Sequence, residues 1–376
     1  MIASVQRHEG FCSAFLIFPL PGYPVEFVHP PAPCRPRSSS SKLRRPFDTH
    51  FPRSLRMASA PINLGLIGLG PFWESRFRPA LTKLSSKLHV VAVYDNVVSR
   101  AEQAARETNA RVVGGVTALA DRANVHALLL LDTGWQGSAT LRLLSDRRKP
   151  ILLAARVDAA LSELQEWHDR AISHGVTIMP AFPRRCTPAS NRLQELMATQ
   201  LGRPLRAEIA ISPASLQAVP FATESDFGGQ APPPQDPLLE WSDWCHYLFR
   251  AVPQQVTRRS DGQGLRLDFP PLAPSSSPPD IRVAELSLCP AAPVADRPTL
   301  DEVHLHCERG QARLLGPTTI EWTADGKMQS EELTAERTET EVLLDHFCRR
   351  AVGGLIPVPT LEDLLRAEAI IAAMDY

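Results

Sequence analysis

The sequence predicts an α/β protein. A doubly wound parallel sheet comes first, followed by an α+β part built on an open, mainly antiparallel sheet. Three observations predict it. Ile62–Leu69 reads as a buried strand running into a glycine turn at Gly68 and Gly70, and a second strand ends in Asp95, 25 residues after Gly70. Strand-like and helix-like segments then alternate as far as Pro180, the pattern of a sheet wound by crossover helices. Beyond Pro180 the segments become longer and alternate apolar with polar residues at every second position, as half-buried antiparallel strands do.

The first strand, Leu64–Leu69, leads into a helix containing Pro79–Leu88, and the second strand is His89–Tyr94. Ser99–Thr108 follows as a helix with a serine at its cap. Arg111–Val113 is a short third strand and Thr117–Asp121 a helical turn. Val125–Leu131 is an apolar run broken only by His126, as expected of a parallel strand covered on both faces. Gly137–Ser145, Ile151–Ala154, Ala159–Ser173 and Val176–Met179 continue the alternation, with Gly175 as a helix C-cap. In the second part, Ala189–Leu201 is an amphipathic helix. Strands are expected at Arg206–Ile211, Ile281–Leu288, Val303–Glu308, Gln311–Leu315 and Ile320–Thr323, and closing helices at Glu339–Val352 and Leu361–Met374. Pro232–Pro234 and Pro274–Pro279 mark surface loops.

Length and composition narrow the function classes. A chain of 376 residues exceeds what one core supports. The expected organisation is an N-terminal extension over 1–56, a dinucleotide-binding domain over 57–182 and a substrate and oligomerisation domain over 183–376. A net charge of −1 gives no reason to expect nucleic acid or an anionic membrane as partner, and no apolar run approaches a membrane span. Seven cysteines without a C-x-x-C pair suit reduced thiols and a cytoplasmic location. Residues 1–56 are set apart by nine prolines and by eight basic against three acidic residues. They read as a disordered tail, a weak signal or targeting segment, or a stretch upstream of an alternative start at Met57.

The glycine turn carries the main functional signal. Glycines at 68 and 70 permit a tight turn and close approach of a pyrophosphate, which the next helix receives at its N-terminus. The expected cofactor-binding residues are Gly68, Leu69, Gly70, Pro71, Phe72, Asp95, Asp132 and Thr133. Asp95 is placed to bind the adenosine ribose, which favours NAD, with NADP possible. The third position of the fingerprint is Trp73 rather than a small residue, so the turn is modified. The chain reads as a Rossmann-type dinucleotide domain.

These passages resemble the Gfo/Idh/MocA oxidoreductases, the family of glucose–fructose oxidoreductase and inositol dehydrogenase. The resemblance rests on Gly65-Leu66-Ile67-Gly68-Leu69-Gly70, on Val91-Ala92-Val93-Tyr94-Asp95 and on Asn124-Val125-His126-Ala127-Leu128. At the end it rests on His346-Phe347 and on Pro357-Val358-Pro359-Thr360-Leu361 leading through Glu362-Asp363-Leu364-Leu365-Arg366-Ala367. It implies hydride transfer between NAD(P) and a sugar, cyclitol or related polyol, with a homo-oligomer formed through the free face of the C-terminal sheet. The alternative is a catalytically impaired, nucleotide-binding homologue acting as a sensor or assembly partner.

The sequence departs from the family at its chemical groups. Ala155 stands where the family's Glu-Lys-Pro lysine would fall, and Gly137 where a histidine often follows the fourth strand. Aligning Leu238-Leu239 and Arg250 sets Glu240 and Trp244 at the positions of the family's aspartate and histidine. Substitutes lie nearby. Asp243 and His246 are spaced to share one face of a helix, and histidine is a plausible base near neutral pH. The expected catalytic residues are therefore His246, Asp243 and Glu240. Arg184, Arg185 and Trp244 are the expected substrate-binding residues, the arginines because they follow the carboxyl end of a strand. Trp241 and Trp244 read as wall or core residues ahead of sugar-stacking platforms. His304, His306 and Cys307 lack a further ligand at a recognisable spacing, so no metal site is expected.

Overall fold

The structure is a computed structural model, and it describes residues 15–16, 61–70, 72–157, 159–212, 237–259, 264–272, 282–288 and 300–373. The expected surface loops at 232–234 and 274–279, the tail outside 15–16, and Pro71 of the glycine turn lie outside the described residues.

Six parallel strands form the first sheet: β2 (Ile62–Ile67), β3 (Leu88–Tyr94), β4 (Arg111–Val112), β5 (Ala127–Leu130), β6 (Ile151–Leu153) and β7 (Ile178–Pro180). Their spatial order is β4-β3-β2-β5-β6-β7. That is the doubly wound order of a Rossmann sheet, reversing between β2 and β5, where such sheets open a crevice at the strands' carboxyl ends. The helices are α1 (Arg78–Lys83), α2 (Val98–Thr108), α3 (Val116–Ala120), α4 (Ser138–Ser145) and α5 (Leu161–His174). Strand β5, Ala-Leu-Leu-Leu, is buried throughout, because crossover helices cover both faces of a central parallel strand.

Two local readings are corrected. The first helix begins as a π turn, Trp73–Phe77, before α1. Pro79 explains it: proline offers no N–H to the carbonyl four residues back and its ring clashes there, so the preceding turn widens. Helix α2 starts at Val98, and Ser99 is not its cap. Asp95 serves that end instead, its Oδ1 accepting the Val97 N–H at 2.7 Å.

The second sheet is mixed, with order β1-β9-β10-β11-β8-β12-β13-β14-β15. Its strands are β1 (Phe15–Leu16), β8 (Pro204–Ile211), β9 (Gln255–Arg258), β10 (Gly264–Phe269), β11 (Arg282–Leu288), β12 (Glu302–Cys307), β13 (Gly310–Leu315), β14 (Thr319–Ala324) and β15 (Lys327–Glu332). Only β8 and β11 pair in parallel; the other neighbours run antiparallel. One face packs on α6 (Pro188–Leu196) and α7 (Pro237–Phe249) through Leu193, Leu196, Trp244 and Leu248. The other face carries charged residues in register: Glu208 lies opposite His304, His304 opposite Arg313, and Arg313 opposite Glu321. His304 and His306 sit on that exposed face while Cys307 is buried beneath.

The closing helices α8 (Glu339–Ala351) and α9 (Leu361–Ala372) return to the first sheet. Leu343, Leu344 and Phe347 join the core on one of its faces, and Leu361, Leu364 and Leu365 join the core on the other. The expected division at residue 182 is thus crossed by the end of the chain, which brings α9 to the carboxyl ends of β6 and β7.

Candidate active site

The glycine turn closes at the point where the strand order reverses. Gly68 has φ +64° and donates its N–H to the Tyr94 carbonyl at 2.9 Å; Gly70 has φ +60°. A Cβ on Gly68 would lie 2.3 Å from the Asp132 carbonyl oxygen, and one on Gly70 would lie 2.9 Å from that of Leu131. The turn therefore needs glycine twice over, for its left-handed backbone and for its contact with the end of β5. Among the described residues, no acceptor is hydrogen-bonded to the N–H groups of Gly70, Phe72 and Trp73. These amides open the π turn at its positive end, where an anion is favoured. This cradle fits the pyrophosphate of a dinucleotide.

Trp73 does not narrow the cradle. Its side chain is 3% exposed and packs beneath the turn with Leu64, Leu66 and Phe77. Phe72 is half-buried, with the Arg76 guanidinium 4.3 Å above its ring. Asp132 Oδ1 accepts the Gly134 N–H at 2.9 Å and so shapes the loop after β5, on which Thr133 is half-buried. Asp95 is turned inward: Oδ2 accepts the Leu69 N–H at 2.9 Å, and the side chain is only 2% exposed.

The polar residues expected to carry chemistry come together, but largely on one another. Arg184 and Arg185 lie in a short 3-10 turn, Pro183–Cys186, directly after β7. Arg184 bonds Asp301 at 2.7 Å, lies 3.0 Å from Glu240 and stacks 4.2 Å over Trp241. Arg185 grips Asp243 with two hydrogen bonds, 2.7 and 2.5 Å, and reaches Asp363 at 3.2 Å. The arginines thus tie α7, α9 and Asp301 to the end of the parallel sheet. Burial pushes the Asp243 carboxyl up to about 7, with Asp363 and Glu240 adding to the rise, and the Arg185 guanidinium alone opposes it. Burial weighs against charge on Arg185 too, yet Asp243 and Asp363 outweigh it and raise its pKa.

Trp244 is not available to a substrate. It is 1% exposed, sits in the core of the second sheet, and donates its indole N–H to Ser190 Oγ at 3.0 Å. Its place on the inward stripe of α7, with Cys245 and Leu248, decides this.

His246 lies 4.0 Å from Asp363, and its pKa falls to about 4 because burial disfavours the cation and Arg366 repels it, which outweighs Asp363. The folded state therefore binds this proton less tightly than the unfolded chain. The neutral ring's contribution is complete above pH 6.5 and is lost as pH falls towards 4. Over that window His246 accounts for roughly 3 kcal/mol of lost stability. Urea unfolding at pH 7 and pH 4.5 should show His246→Gln losing correspondingly less stability on acidification than the wild type.

A cleft opens between the carboxyl ends of β6 and β7 and helices α7 and α9. Ala155, Arg156, Phe182, Leu239, Glu240 and Glu368 line it. Of the three expected catalytic residues, Glu240 lines this cleft; Asp243 and His246 do not appear in its wall. Glu368 and Phe182 were not legible as site residues. Only the return of α9 and the turn after β7 bring them to Arg156, and no local spacing signals that.

No protein-family model matches the sequence, and no curated protein matches it. Solved structures do. An oxidoreductase from Agrobacterium radiobacter in complex with NAD+, L-tartaric acid and magnesium is 14% identical, with a TM-score of 0.64 over 84% of this chain and 96% of that one. KijD10, a 3-ketoreductase from Actinomadura kijaniata in complex with NADP and TDP-benzene, is 16% identical, with a TM-score of 0.61 over 84% and 97%. A super-repressor mutant of Gal80p from Saccharomyces cerevisiae is 14% identical, with a TM-score of 0.63 over 83% and 95%. The chain has the fold of Gfo/Idh/MocA-type dehydrogenases.

Proposed function

We propose that the chain is a nicotinamide-dinucleotide-dependent oxidoreductase acting on the CH–OH group of a sugar, cyclitol or related polyol. The observation that carries this reading is the cradle at the strand-order reversal, with Gly68 and Gly70 pressed against the end of β5 and three amides uncommitted. The amides of Gly70, Phe72 and Trp73 hold the pyrophosphate, Gly68 and Leu69 shape the turn that presents them through their bonds to Tyr94 and Asp95, and Asp132 and Thr133 border the nicotinamide side. The bound cofactor supplies the hydride acceptor or donor. The neighbours crystallised with NAD+ and with NADP support a dinucleotide of this class.

The substrate occupies the cleft at Ala155, Arg156 and Glu240. Oxidation of an alcohol requires removal of the hydroxyl proton, and a positioned base contributes roughly 10²–10⁴-fold. The proton acceptor in this proposal is the Glu240 carboxylate, which lines the cleft and is held by Arg184 at 3.0 Å. Asp243 acts behind it, fixing Arg185 and through it the turn that carries Arg184. His246 braces α7 beside Asp363. Ala155, Phe182 and Leu239 form the apolar side of the cleft. The lysine of the resembled family is Ala155 here, so no cation stands at that position to stabilise an alkoxide, a term often larger than the base. Turnover is accordingly expected to be slow.

The reading extends to a homo-oligomer through the charged open face of the second sheet. It also extends to a reducing, cytoplasmic setting, which suits the buried free thiols of Cys186, Cys245, Cys307 and Cys348. No described helix is long and apolar enough to cross a membrane.

The test is absorbance of the reduced cofactor with a panel of sugars and polyols. Wild-type chain should show turnover that Glu240→Gln lowers by roughly 10²-fold while nucleotide binding is kept. Nucleotide binding without any cofactor reduction across the panel would replace the enzyme reading with the sensor one.

A further inference from the structure

We infer that this chain selects the 2′-phosphorylated nicotinamide dinucleotide, and that Arg100 is the residue that reads the phosphate. The inference rests on the proposed nucleotide site and reverses the preference that Asp95 suggests from sequence. An acid at the end of the second strand favours NAD only if its carboxylate faces the ribose hydroxyls.

Asp95 faces the other way. One oxygen accepts the Leu69 N–H at 2.9 Å and the other the Val97 N–H at 2.7 Å, and the side chain is 2% exposed. Both contacts are internal. They latch the glycine turn to the start of α2, so the carboxylate serves the shape of the cradle rather than its contents. Its charge is also compensated. Two amide dipoles point at it, and Arg100 Nε stands 3.4 Å from Oδ1. The repulsion that would exclude a phosphate is thereby weakened at its source.

Arg100 supplies the attraction. It lies in the first turn of α2, with its side chain 36% exposed beside the buried acid. Its Nε is buried without a hydrogen bond, and among the described residues its guanidinium donates no hydrogen bond to any protein acceptor. An arginine anchored by charge at Nε, with its outer N–H groups uncommitted, suits a phosphate monoester, which arginine grips in a bidentate fork. The residue after the acid is Asn96, an amide that adds no second negative charge.

Calorimetric titration of the full chain with NADP and NAD separately tests this. Wild-type chain should bind NADP roughly tenfold or more tightly than NAD, as a charge-assisted arginine–phosphate contact implies. Arg100→Ala should remove that advantage and leave NAD affinity within about twofold, and Arg100→Lys should restore only part of it. Asp95→Asn should weaken both nucleotides alike, because it loosens the turn. Tighter binding of NAD by the wild type, or equal losses of both nucleotides in Arg100→Ala, would overturn the selectivity and leave the nucleotide site standing. A wild-type chain that binds neither overturns the site itself.

Discussion

Asp243→Ala should cost about 3–5 kcal/mol of stability in urea or thermal unfolding. Asp243 is buried and takes both hydrogen bonds of the Arg185 fork, at 2.7 and 2.5 Å. Truncating it leaves a guanidinium of 9% exposure with Asp363 at 3.2 Å as its remaining carboxylate. The cost is that of a buried charge left short of a partner, and not the net value of the pair. A second arm separates the two. Arg185→Met combined with Asp243→Leu removes both charges and should recover most of the loss, since a buried pair replaced by apolar groups is often neutral. If the single and double variants were equally unstable, packing of the helix, and not the ion pair, would be what Asp243 provides.

Gly68→Ala should abolish dinucleotide binding and destabilise the fold by about 2–4 kcal/mol, from a non-glycine residue held in a left-handed conformation together with overpacking. The methyl group would stand 2.3 Å from the Asp132 carbonyl oxygen at φ +64°, and that oxygen belongs to backbone fixed by the end of β5. The strain cannot be relieved by a side-chain rotation. The turn or the β5 loop must move, and either movement displaces the amides of Gly70 and Phe72. Calorimetry with NADP, alongside circular dichroism to establish that the variant remains folded, reads both effects. A folded Gly68→Ala chain with wild-type affinity would mean that the anion is held elsewhere.

Much of this was legible in the sequence, for reasons that differ by element. The parallel sheet could be read because crossover helices impose a near-continuous apolar strand, as at Leu128–Leu131, and a glycine turn cannot be replaced by other residues where the backbone is left-handed. β15 is not legible in the sequence because Lys327–Glu332 is exposed almost throughout and shows no period. β9 is not legible because Gln255–Arg258 spans only four residues. β10 carries Leu265, Leu267 and Phe269 in clean alternation and could have been read. The site was only half legible. Sequence spacing placed Asp95 at the end of the strand, but could not show that its carboxylate turns back to Leu69. Arg184 and Arg185 were expected to face a substrate because they follow a strand end; their partners Asp301 and Asp363 lie more than a hundred residues away, at positions only the tertiary fold can supply. Trp244 was misplaced because one turn of helix separates a cleft wall from a core stripe.

Amide hydrogen exchange on the wild-type chain, with and without saturating NADP, tests most directly whether the glycine turn holds a pyrophosphate. Protection should rise at Gly70, Phe72 and Trp73 and around Asp132–Gly134, with little change in the second sheet at β12–β14. Unchanged exchange at those amides, in a chain that demonstrably binds the nucleotide, would contradict the assignment of Gly68 and Gly70 as its cradle.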